Sequence, residues 1–175
     1  EITIGLADLA RMVWSDVEEF NGKDKMEIEG NASNTLVTGG GVRTLFDCLH
    51  VVLVNASKHS VGMQNVELKF NVENSNQTGV QDLNVRLLSS LSDNGPDRDR
   101  SEKHFERMNE AIRRSEVSEK VMVMQGYSGL PKLKYLLFRN QRMDSLSLKW
   151  VDGRAELAFS IPVNFPGGIA DAGSD

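Results

Sequence analysis

The chain has 175 residues, 39% hydrophobic and 26% charged, with a formal net charge of -5. That length and balance describe one domain able to bury a core without disulfides or metal, and they exclude a disordered chain. The acidic balance argues against a nucleic-acid surface, which needs a dense cationic face, and no apolar run approaches the roughly 20 residues that span a bilayer.

No signal-peptide pattern opens the sequence, and the single Cys48 fits a reducing compartment, so a cytoplasmic location is expected. The first residue is Glu1 rather than Met, as expected for a domain of a longer protein. Its partners would then be other domains of that parent chain or a separate protein. Cys48 and the three histidines, His50, His59 and His104, show no zinc-ligand spacing. Cys48 falls inside a helical pattern and reads as a small buried hydrophobe.

From Ile4 to Phe20, Leu6, Leu9, Val13, Val17 and Phe20 recur at three- and four-residue steps, which predicts an amphipathic helix. Short strands are expected at Lys25–Gly30 and Thr35–Thr38. Gly39–Gly41 then precedes a second helix from about Val42 to Ser60. Strict alternation of Val66, Leu68, Phe70 and Val72, and then of Leu83, Val85 and Leu87, predicts two strands over 65–73 and 81–90. The NSNQTG between them makes antiparallel neighbours of the pair.

From Asp93 to Glu116 the chain is charge-dense, and Phe105, Met108 and Ile112 hold a thin helical stripe: a loop and then an exposed helix. A glycine-containing loop leads to a helix starting near Pro131, where proline is well tolerated. A hairpin closes the order, Ser145–Trp150 and Ala155–Val163 around the turn at Asp152-Gly153. Paired strands with helices of similar total length give a two-layer α/β sandwich, a mixed and mostly antiparallel sheet with helices on one face.

The second helix carries an unusual flank. Leu45, Leu49, Val52 and Ala56 form its core stripe, whereas Val51, Asn55, Lys58 and His59 project from another side. An Asn can offer a carbonyl oxygen to a hard cation such as Mg²⁺, and a Lys three residues on can reach phosphate. The same residues also suit the polar end of a helix, with Lys58 and His59 near its C-terminal dipole.

The run LVNASKHS resembles the N-box of Bergerat-fold ATP-binding domains, the group shared by sensor histidine kinases, DNA gyrase, heat-shock chaperones and mismatch-repair ATPases. Asn55, Ala56, Lys58, His59 and Ser60 match the histidine kinase form of that box. The order of elements is similar as well. The resemblance implies ATP and Mg²⁺ as ligands, with Asn55 on the metal and Lys58 close to the phosphates. In outline it covers a histidine kinase-like domain over 1–166, with a lid at about 91–125 and a flexible tail at 167–175.

Two further boxes match less fully. SDNGPDRD offers Asp93 and Gly95 where the family's first glycine box binds adenine, but Asp97 stands at its second glycine. In QGYSGLPKLKYL, Gly126, Ser128, Gly129 and Leu130 resemble the second glycine box, whose backbone N–H groups meet phosphate. Lys132 and Lys134 add positive charge there, and Pro131 stands where a further glycine is common. The family's hydrolysing members carry a Glu four residues before the N-box Asn; this chain has Val51, which cannot accept a proton.

Three functions fit these residues. The first is a divergent nucleotide-binding module with weak or no hydrolysis, regulatory or interacting within a larger protein. The others are an active ATP-dependent kinase or ATPase, and an α/β interaction domain that binds no nucleotide.

Overall fold

The computed structural model describes residues 3–17, 25–30, 35–59, 65–74, 81–90, 97–114, 117–118, 120, 129–152 and 154–163. In chain order these form β1 (Thr3–Gly5), α1 (Leu6–Asp16), β2 (Lys25–Glu29), β3 (Leu36–Thr38), α2 (Gly40–His59), β4 (Asn65–Asn74) and β5 (Gln81–Ser90). Then come α3 (Asp97–Arg114), α4 (Gly129–Arg139), a 3₁₀ turn (Met143–Ser145), β6 (Ser147–Val151) and β7 (Arg154–Val163).

The period-two strands build one sheet of order β2-β4-β5-β7-β6, parallel only between β2 and β4. Its register aligns the apolar positions: Ile28, Leu68, Leu87, Leu157 and Leu148 are consecutive partners across all five strands. Phe70, Val85 and Phe159 form a second such row. Because side chains alternate between faces, both rows point one way and join a single core. The intervening residues make a charged outer face, where Arg154 meets Glu67 at 2.8 Å and Lys69 meets Glu29 at 2.8 Å.

Helix α2 lies on the inner face and packs against both α1 and α4. Leu45, Cys48, Leu49, Val52, Leu53 and Ala56 are buried, so the expected core stripe is present and broader by Cys48 and Leu53. The turn from β3 into α2 passes through Gly39 at φ +64°, a left-handed conformation that costs glycine little. The architecture is the expected α/β sheet with its helices on one face.

Three local readings change. The first helix is shorter than expected, because Thr3–Gly5 pairs as a strand with β3 and the Leu6 N–H bonds to Thr35 O at 2.9 Å. It ends at Asp16: Val17 is already extended, with its N–H turned back to Trp14 O. Phe20 lies outside the described residues. The helix expected near Pro131 starts at Gly129, which leaves Pro131 in the first turn, where the missing N–H has no helical partner to lose. The last hairpin begins at Ser147, and Ser145 belongs to the 3₁₀ turn, its hydroxyl accepting the Ser160 N–H at 2.9 Å. Asp152 takes φ +51° at the hairpin turn, as the Asp-Gly pair implies.

Leu137 of α4 is fully buried in this core. Leu137→Ala is expected to lower unfolding stability by about 2–5 kcal/mol, measured by urea denaturation at constant m-value. A loss below about 1 kcal/mol would mean that α4 is not packed as described.

Candidate functional site

Asn55 sits in the last part of α2, one turn after Val51 and on the same flank. Its Oδ1 accepts the backbone N–H of Gly129, the first residue of α4, at 3.0 Å. A backbone N–H can only donate, so this bond fixes which end of the amide faces Gly129. The helix start thereby gains a side-chain acceptor from a residue 74 positions earlier in the chain.

The other end of the amide is buried. Asn55 Nδ2 has no hydrogen-bond partner among the described residues. A typical bond is worth about 0.5–1.5 kcal/mol, while a stranded buried donor costs about 1–3 kcal/mol, so the contact is close to energetic balance. The approach is also tight. A Cβ on Gly129 would lie 3.0 Å from Val51 Cγ1 and 3.1 Å from both Asn55 amide atoms.

Beside this contact opens a small, half-open cleft. Its walls are apolar: Val52 and Ala56 from α2, Leu87 from β5, Met108 from α3, Leu130 from α4 and Leu157 from β7. Asn55 and Ser89 are the polar residues among those lining it. Helix α3 borders the cleft and is tied at several points. Phe105 meets Trp150 edge-on with ring centroids 5.6 Å apart, and the Asn109 side-chain amide donates to Leu148 O at 3.4 Å. Lys134 of α4 donates to Ile112 O, in the last turn of α3, at 2.8 Å.

No protein-family profile and no curated protein matches this sequence. Solved structures do match in shape. The catalytic domain of histidine kinase ThkA, in a nucleotide-free form, superposes with a TM-score of 0.57 at 15% identity, covering 93% of this chain and 95% of that one. The mycobacterial sensor histidine kinase MprB gives 0.55 at 14%, covering 94% and 99%. The blue-light-activated histidine kinase EL346 of Erythrobacter litoralis gives 0.51 at 14%, covering 91% of this chain and 42% of its own. The fold is that of a histidine kinase catalytic domain.

Within this histidine kinase-type fold, the residues singled out from sequence are distributed unevenly. Asn55 and Gly129 are in contact, and Leu130 lines the cleft beside them. Lys132 is half-buried in the first turn of α4. Lys58 and His59 end α2, and their side chains fall outside the described residues. Asp93, Gly95, Gly126 and Ser128 lie outside them altogether. Lys134, read as added charge for the glycine box, instead holds the end of α3. Ser89 and Met108 were missed. Ser89 stands at an inward position of a strand otherwise read by its apolar residues, and Met108 looked like ordinary helix stripe.

Two other groupings carry no comparable chemistry. Glu27, Glu29 and Glu67 converge on the outer face, but Lys69 pairs with Glu29 and Glu67, and Arg154 with Glu67. The hydrogen bond from Lys69 to Glu29, with the charges of Glu29 and Glu67, raises the Lys69 pKa above its ordinary value. Cys48 is buried in the core; desolvation, helped by the charge of Asp47, pushes its thiol up to about 12 from 9.0. It is no nucleophile at neutral pH.

Because that thiol keeps its proton longer when folded than when unfolded, its contribution is intact below pH 9 and is lost as pH rises toward 12. Stability measured by urea denaturation is therefore expected to fall over that window, and to fall less steeply in Cys48→Ala. Equal slopes would contradict this. At the site itself, Gly129→Ala is expected to cost about 1–3 kcal/mol through its clash with Val51 and Asn55. Adding Val51→Ala should recover part of that loss, so that the double variant is more stable than the sum of the single changes implies. Strict additivity would show that the two residues do not touch.

Proposed function

We propose that this chain is a divergent histidine kinase-like nucleotide-binding domain, a regulatory or interaction module of a larger protein that binds nucleotide with weak or no hydrolysis. The observation that carries it is the conjunction of Asn55, Gly129 and the apolar cleft beside them. A flat purine ring suits walls made of Val52, Ala56, Leu87, Leu130 and Leu157, with Ser89 as a polar partner. The fold similarity supports the nucleotide as ligand class; the residue roles are inferred from the N-box and glycine-box resemblance.

In this proposal Asp93 and Gly95 meet the base. Lys58, His59 and Lys132, with backbone N–H groups of Gly126, Ser128, Gly129 and Leu130, meet the phosphates. Asn55 supplies an amide oxygen of the kind that a hard cation takes, so the residue type fits Mg²⁺, although Gly129 already uses that oxygen. Mg²⁺, when bound, would neutralise phosphate charge. The half-buried Val51 beside Asn55 can neither accept a proton nor orient a water. That is the argument for binding without turnover.

The apolar lining also supports a second function, an interaction domain whose cleft takes no nucleotide. The two differ in one measurement. Mg-ATP at about 100 times its dissociation constant is expected to raise the melting temperature by roughly 5–10 °C, and Asn55→Ala to abolish the rise. Phosphate release should stay at background in the same samples. No thermal shift at millimolar Mg-ATP would remove the nucleotide function and leave the interaction domain.

A further inference from the structure

Asn55 has one amide oxygen and two claims upon it. The Gly129 N–H holds it at 3.0 Å, and the proposed nucleotide would bring a cation to the same atom. The oxygen has a second lone pair, but a cation there would lie beside the positive end of the Gly129 N–H. Both partners cannot keep full strength. The contact with Gly129 also leaves Nδ2 buried without a partner among the described residues, so it gains little for the fold by persisting.

The helix that Gly129 opens gives the competition a consequence. Lys134, less than two turns further along α4, donates to Ile112 O in the last turn of α3 at 2.8 Å. Met108 of α3 lines the cleft, and Phe105 rests on Trp150 of β6. A chain of direct contacts therefore runs from the Asn55 oxygen through α4 to α3.

We propose that Asn55 is a positioning residue with two alternative partners: the Gly129 N–H in the nucleotide-free chain, and the cation of a bound metal–nucleotide. Cation binding then releases the first turn of α4, and the Lys134 link carries the change to α3. The chain thus distinguishes metal-loaded from metal-free nucleotide, because only the former brings a cation to the Asn55 oxygen. This rests on the proposed nucleotide function.

The test is the scalar coupling across the hydrogen bond between the Gly129 amide nitrogen and the Asn55 side-chain carbonyl carbon, read by NMR on the labelled chain. Three samples are compared: no nucleotide, ATP with EDTA, and Mg-ATP, with calorimetry on each to show occupancy. The coupling is expected in the first two and lost in the third. In Asn55→Asp, which offers a second oxygen, it is expected to survive Mg-ATP. A coupling that persists at saturating Mg-ATP, is lost with ATP and EDTA, or is missing from the free chain overturns the proposal while leaving nucleotide binding intact. Loss of the coupling in Asn55→Asp with Mg-ATP does the same, since the oxygen is then not the contested atom. No binding heat in either nucleotide sample overturns the nucleotide function and this proposal with it.

Discussion

A single amide oxygen on α2 accepts the first N–H of α4, and this bond joins the two helices where they meet beside the cleft. Its geometry sets several choices at once. Glycine suits residue 129, because a Cβ there would press on Val51 and on both amide atoms unless they moved by a few tenths of an ångström. Leu130 is then delivered to the cleft wall, and Lys134 to the end of α3. Burial of Leu130, Leu133 and Leu137 in the core holds α4 in place, and this contact sets its first turn against α2.

The sheet prepares the ground for that contact. Its inner face is a set of cross-strand rows of Ile, Leu, Val and Phe, which gives α2 and α4 a common floor. The outer face is laced with ion pairs such as Lys69–Glu29 and Arg154–Glu67, whose partners are partly exposed, and each of these contributes little to stability. Burial on one side and charge on the other fix the register, since a one-residue slip would exchange the two faces.

Much of this was legible in the residues. The alternation at 66–72 and 83–87 determines two long strands, their turn residues make them antiparallel, and the Asp-Gly pair determines the last hairpin. The α2 stripe and the stripe of Phe105, Met108 and Ile112 were both visible as periodicity. What escaped depends on tertiary contact. Thr3–Gly5 becomes a strand because β3 offers it a ladder, which no local pattern encodes. Lys134 looks like a phosphate-facing charge until α3 is found beside it. The N-box resemblance points to Asn55 but cannot show that its oxygen accepts the Gly129 N–H. Local periodicity reads the elements, and the site depends on which elements touch.

Everything proposed for the function turns on whether the apolar cleft beside Asn55 takes a nucleotide. Methyl NMR during an ATP titration is the sharpest check, because the cleft and the deep core are lined by different methyl groups. Saturable shifts are expected at Val52, Ala56, Leu87, Leu130 and Leu157, which line the cleft, with Leu83 and Ile161 of the core unmoved. Cleft methyls that stay still at millimolar ATP, or shifts confined to residues away from the cleft, would contradict a nucleotide site there.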